Sequence, residues 1–133
     1  MKPKSFAASV CLVVALSAPV YAGDGVTEVT LIHTGDFHGH LIPRANVRSD
    51  AVGNSTEGGL ARIYTKIKQL RAEDPNALLI HTGDTIQGSA EVMYTRGDAI
   101  INVLNHFGID AFAPGNWEFV YGTDRFLELF GPG

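Results

Sequence analysis

The chain has 133 residues, enough for one modest domain, and 45% hydrophobic residues with a net charge of -4 exclude an intrinsically disordered segment. The mild acidity and the lack of a basic pattern argue against a nucleic-acid partner, although a small phosphate ester can be held where cations override the overall sign. A single cysteine, Cys11, excludes a disulfide framework.

The first residues read as a separate object. Lys2 and Lys4 precede an apolar run from Phe6 to Val20, and Val20-Tyr21-Ala22 closes it with small residues where a signal peptidase reads. The run is shorter than the roughly 20 apolar residues of a spanning helix. Export with cleavage after Ala22 is therefore expected, rather than a retained membrane anchor. The mature part, 23–133, is then periplasmic or secreted and lacks cysteine.

Residues Val26 to His33 form an apolar, β-branched run ending in Thr34-Gly35, a strand entering a loop. Leu41 to Glu57 carry Pro43, Gly53, Asn54 and Ser55 without a period, which predicts a long functional loop. From Gly59 the spacing turns helical, with Leu60, Ile63, Ile67 and Leu70 on one stripe, and the helix is expected to stop near Asp74-Pro75. Ala77 to His81 reads as a strand buried on both faces of a parallel sheet.

A short helix is predicted over Ala90 to Tyr94 and another over Asp98 to Phe107, with Asp98 as N-cap and Gly108 as terminator. Ile109 to Ala113 is the third strand, and Thr123 is expected to cap a last helix, Asp124 to Phe130. The order β-α-β-α-β-α predicts an α/β fold with a parallel sheet covered by helices. Ligands of such sheets bind beyond the carboxyl ends of the strands.

Three short motifs lie at those ends: Asp36-Phe37-His38, Gly83-Asp84-Thr85 and Gly115-Asn116-Trp117-Glu118. In an extended segment, Asp36 and His38 at i and i+2 project from one face and can grip one cation. Gly83 lets the backbone approach a ligand closely, and Asp84 can bridge two cations through its two oxygens. Asn116 adds a neutral oxygen. Taken singly, each residue also suits a turn or a solvated loop. Their ordered recurrence beyond three strands of one sheet is what favours a metal site.

These residues resemble the calcineurin-like metallophosphoesterases, and within them the exported 5'-nucleotidase group. The resemblance runs from Val29 through Phe130 and includes Gly58-Gly59-Leu60-Ala61-Arg62 and Gly83-Asp84-Thr85-Ile86-Gln87-Gly88. It implies that Asp36 and His38 bind a first metal, Asp84 bridges both and Asn116 binds the second, with Asp84 and Asn116 taking part in catalysis. It further implies two divalent ions, for which oxygen and imidazole ligands suit manganese, zinc, iron or cobalt alike. The substrate would be a small phosphate ester, a nucleotide, attacked by a metal-activated hydroxide.

Relatives complete the site with histidines from a later part of the domain and add a substrate domain. This chain therefore resembles the N-terminal half of the catalytic domain, truncated, with the C-terminal half as its missing partner. His33, His81 and His106 are poor substitutes, being predicted at two strand ends and on a helix.

Relatives carry histidine where Trp117 stands, and indole cannot transfer a proton near neutrality. Trp117 and Gln87 are candidates to touch substrate, with simple packing and turn closure as the plain alternatives. Glu118 is expected to accept backbone N–H groups. Tyr94, Tyr121 and the phenylalanines are expected to pack.

The segment Trp117-Glu118-Phe119-x-Tyr121-Gly122 also resembles sulfur-oxidation thiosulfohydrolases of the same fold. Three readings therefore stand: a nucleotidase-like phosphoesterase, a thiosulfohydrolase, and an inactive truncated product with an uncovered sheet face and edge.

Overall fold

The computed structural model describes residues 14–22, 25–47 and 52–131, with side chains from residue 27 onward. The leader's basic start, Cys11 and the residues just past the expected cleavage point, Gly23 and Asp24, lie outside the described residues.

Strand β1 (Val14–Ala22) pairs antiparallel with β2 (Gly25–Thr34), from Val14 opposite His33 to Ala22 opposite Gly25. Residues expected to end the leader thus form an edge strand in the full chain. The segment expected to be a long loop contains two short strands, β3 (Arg44–Ala45) and β4 (Thr56–Glu57), paired antiparallel. Arg44 and Glu57 face each other across that pair at 3.3 Å. Strands this short leave no period to read.

Helix α1 (Leu60–Glu73) buries Leu60 and Ile67, with Ile63 and Leu70 beside them, and ends at extended Asp74 as Pro75 demands. It leads to β5 (Leu78–His81), which pairs parallel with β2, Leu31 opposite Leu78 through Thr34 opposite His81. Two helices follow, α2 (Ala90–Tyr94) and α3 (Asp98–Leu104), then β6 (Ala111–Phe112), parallel to β5. A 3-10 turn (Trp117–Phe119) and α4 (Thr123–Phe130) complete the order. The sheet runs β1-β2-β5-β6, and β2, β5 and β6 are mutually parallel as expected, with β1 added antiparallel at one edge.

The core lies on one face. Ile32 and Leu79 are fully buried against Leu60, Ile67, Ile100, Leu104 and Phe107. On the other face Leu78 is exposed and Ile80 half-buried. The expectation that this strand is buried on both faces is therefore corrected: its apolar run alternates in environment, because the described helical core packs on one side.

Three boundaries also shift. Helix α3 stops at Leu104, three residues early, and His106 sits exposed beyond it rather than on a helix. Gly97, in a left-handed conformation, caps α3, and Asp98 instead pairs with Arg125 at 2.7 Å. Gly122, not Thr123, stands at the N-cap of α4.

Strand β6 is shorter than expected because the carboxylate of Asp110 takes the Leu79 N–H at 2.7 Å where a strand carbonyl would serve. Arg71 holds that carboxylate at 2.8 Å and also donates to the carbonyls of Phe107 and Gly108.

Phe112, Phe130, Phe126 and Phe119 stack in sequence, as packing residues. Tyr121 is half-buried against the core. Tyr94 departs from the expectation: it is 91% exposed at the end of α2, with no core to pack on.

Candidate metal centre

The loop after β2 is zipped to the loop after β5 by backbone bonds that continue the strand pairing. Thr82 donates to the Thr34 carbonyl, Asp36 to Gly83, His38 to Asp84 and Gly39 to Thr85, each at 2.9 Å. Between Asp36 and His38, Phe37 plunges into the core and stacks on His81 with ring centroids 4.7 Å apart. That anchor leaves the two flanking side chains pointing away from the core.

Asp36, His38 and Asp84 all adopt positive φ, at 54°, 44° and 53°. Aspartate and histidine tolerate this region better than most residues, at a cost of roughly 1–3 kcal/mol each. The extended geometry expected for Asp36 and His38 is therefore replaced by a left-handed turn, and the two side chains still converge. The zipper and the Phe37 anchor impose it.

One ligand atom from each of Asp36, His38 and Asp84 lies within 4.8 Å of the others. His38 Nε2 is 3.6 Å from Asp36 Oδ1 and 4.0 Å from Asp84 Oδ2. Two carboxylates and one imidazole make an oxygen-and-nitrogen donor set that fits a divalent cation. Asp84 Oδ1 accepts the N–H of Trp117 at 3.2 Å, so Oδ2 is the oxygen that faces His38. Of the two Asp84 oxygens expected to face cations, Oδ1 thus carries one backbone hydrogen bond.

The third motif is tied to this group from below. Glu118, fully buried, accepts N–H bonds from Asp84 and Gly115 on Oε2 and from Thr85 on Oε1, at 2.7–2.8 Å. Asn116 is exposed, next to Trp117 at the start of the 3-10 turn, and so stands beside the Asp84 loop. The Trp117 ring meets His38 edge-on, with centroids 6.4 Å apart. Gln87 is half-buried on the Asp84 loop, just past buried Ile86.

Glycines make the close approach possible. A Cβ on Gly83 would collide with the Gly115 N and the Glu118 carboxylate, and one on Gly115 with the Asp84 carboxylate.

Two histidines outside the group serve the loops. His81 Nδ1 lies 3.0 Å from Thr34 Oγ1 and Nε2 lies 2.8 Å from Thr85 Oγ1. Burial pushes its pKa down, which keeps the ring neutral between these hydroxyls. His33 Nε2 meets Thr82 Oγ1 at 3.0 Å. The two His-Thr-Gly-Asp segments therefore exchange bonds, each histidine reaching the other segment's threonine. The repeated motif was the visible signal for this exchange.

His40, missed in the sequence, accepts from Arg44 at 2.8 Å, and its pKa is lowered by burial first and by Arg44 next.

Comparison with known proteins finds matches along most of the chain. Residues 29–132 match the family described as calcineurin-like phosphoesterase. The chain is 35% identical to human 5'-nucleotidase over 129 residues, 96% of this chain and 22% of that protein. It is 38% identical to a probable 5'-nucleotidase of Treponema pallidum over 110 residues, 81% of this chain and 18% of that protein. Among solved structures, the NAD nucleotidase of Haemophilus influenzae superposes with a TM-score of 0.70 at 28% identity, over 77% of this chain and 19% of that one. The chain thus spans about a fifth of the length of these relatives.

Proposed function

The chain belongs to the calcineurin-like phosphoesterase family, and we propose that it forms the N-terminal part of an exported, metal-dependent 5'-nucleotidase-like hydrolase. In this reading residues 1–22 are a signal peptide and 23–133 begin the catalytic domain, which further chain completes. The Lys2/Lys4 start and the apolar run support export, and no helix among the described residues is long and apolar enough to cross a membrane.

Asp36 and His38 would hold a first divalent cation, Asn116 would hold a second, and Asp84 would serve both. When bound, such a pair supplies Lewis-acid polarisation of a phosphoryl oxygen and a hydroxide nucleophile at neutral pH. The chain's own contribution is placement. The strand-end zipper fixes the donors before substrate arrives, so little reorganisation is needed on binding.

Hydrolysis adds water across the ester P–O bond, and the leaving oxygen needs a proton. Trp117 has one N–H donor and no titrating nitrogen, so it can orient a phosphoryl oxygen but not protonate the leaving group. Gln87 offers a neutral amide to substrate from the Asp84 loop.

The observation that carries this reading is the convergence of Asp36, His38 and Asp84 within 4.8 Å from the ends of two strands. Its test is manganese-dependent phosphate release from adenosine 5'-monophosphate by the full-length gene product. Loss of turnover in Asp84→Ala is expected, and full activity in that variant would refute the assignment.

A further inference from the structure

The hydrolytic scheme above gives no role to the one acidic side chain that is fully buried among the described residues. Glu118 lies at 0% exposure, and its carboxylate accepts the amide N–H of Asp84, of Thr85 and of Gly115. No ion pair compensates it among the described residues. Its burial is compensated by three charge-assisted N–H bonds instead, and losing them would leave those donors without their acceptor. What it joins is specific: Asp84 and Thr85 belong to the second motif, Gly115 to the third.

We infer that Glu118 is the positioning residue of this centre: on one carboxylate it sets the separation between the Asp84 and Asn116 loops, and so between two cation positions. The Trp117 N–H reaches Asp84 Oδ1 at 3.2 Å from the same turn, which fixes the rotation of that carboxylate and leaves Oδ2 toward His38. The charge of Glu118 also attracts cations that it does not touch. This inference rests on the metal-centre reading proposed above.

The test is a Mn2+ titration of the purified full-length gene product followed by electron paramagnetic resonance, with wild type and Glu118→Gln compared. Glutamine keeps the length but removes the charge and turns one acceptor into a donor. Wild type is expected to take two ions with an exchange-coupled spectrum. Glu118→Gln is expected to bind the first within about threefold of wild type and the second about tenfold or more weakly, without coupling.

A retained coupled spectrum with the second affinity within about twofold overturns the inference and leaves the metal centre standing. Equal weakening of both ions, in step with a lowered thermal midpoint, marks a merely structural role and overturns it too. A wild type that takes no Mn2+ removes the proposed function itself.

If Glu118→Gln does not fold, amide hydrogen exchange in the wild type decides. Slow exchange at Asp84, Thr85 and Gly115 before Zn2+ is added supports the inference. Open-loop rates that slow only with Zn2+ overturn it.

Discussion

Nε2 of His38 stands 4.0 Å from Oδ2 of Asp84, and the two groups come from loops at the carboxyl ends of neighbouring parallel strands. Asp36 Oδ1 completes the triangle at 3.6 Å from the same nitrogen. Neutralising Asp84, the carboxylate proposed to serve both cations, should therefore disable the donor set. Asp84→Asn is expected to weaken Mn2+ binding by about 100-fold or more, since losing a ligand charge costs at least as much as losing a group that only orients a ligand. Isothermal titration calorimetry measures it.

Gly115 predicts a more selective defect. An added Cβ there runs into the Asp84 carboxylate, whereas one at Gly53 meets nothing within 4 Å. Gly115→Ala should lower metal affinity by about tenfold or more. Gly53→Ala, at φ 59°, should leave affinity within about twofold and cost about 1 kcal/mol of stability through backbone strain. Calorimetry and denaturant unfolding on the two variants separate these outcomes.

The buried His81 gives a pH signature. Burial lowers its pKa from the ordinary 6.5, so below that value the unfolded chain takes up a proton that the folded chain refuses. Stability is therefore full above about pH 6.5 and falls as the pH drops through it. His40, also lowered, adds in the same direction. The thermal midpoint should fall between about pH 7.5 and about pH 5.5, and His81→Asn should flatten part of that slope.

Trp117 is the sole tryptophan, and its ring lies 6.4 Å from that of His38. Intrinsic fluorescence should therefore report on the site, with Mn2+ quenching wild type saturably and His38→Ala showing no saturable change. Emission unchanged at saturating Mn2+ would place the cation elsewhere.

Much of this was legible before any coordinates. The apolar stripe and Pro75 located α1 within a residue, and the motif order brought Asp36, His38 and Asp84 to one place. Glu118 could be read as an acceptor of backbone N–H groups. That its donors would come from two loops could not, because local patterns do not state which loops meet.

The left-handed turns at Asp36 and His38 were hidden for a similar reason. Asp and His tolerate positive φ but Asp-Phe-His does not dictate it; the bonds to Gly83 and Asp84 and the burial of Phe37 impose it. The short β6 was masked by apolar neighbours, since a side chain, Asp110, occupies the ladder position. Capping by Gly97 and Gly122 displaced the polar residues that propensity selects.

The most direct measurement is anomalous diffraction at the manganese edge from crystals of the full-length gene product grown with Mn2+. The account predicts a peak in coordination reach of His38 Nε2 and the Asp36 and Asp84 carboxylates. Bound manganese only at other positions, with no peak among these three side chains, would contradict it.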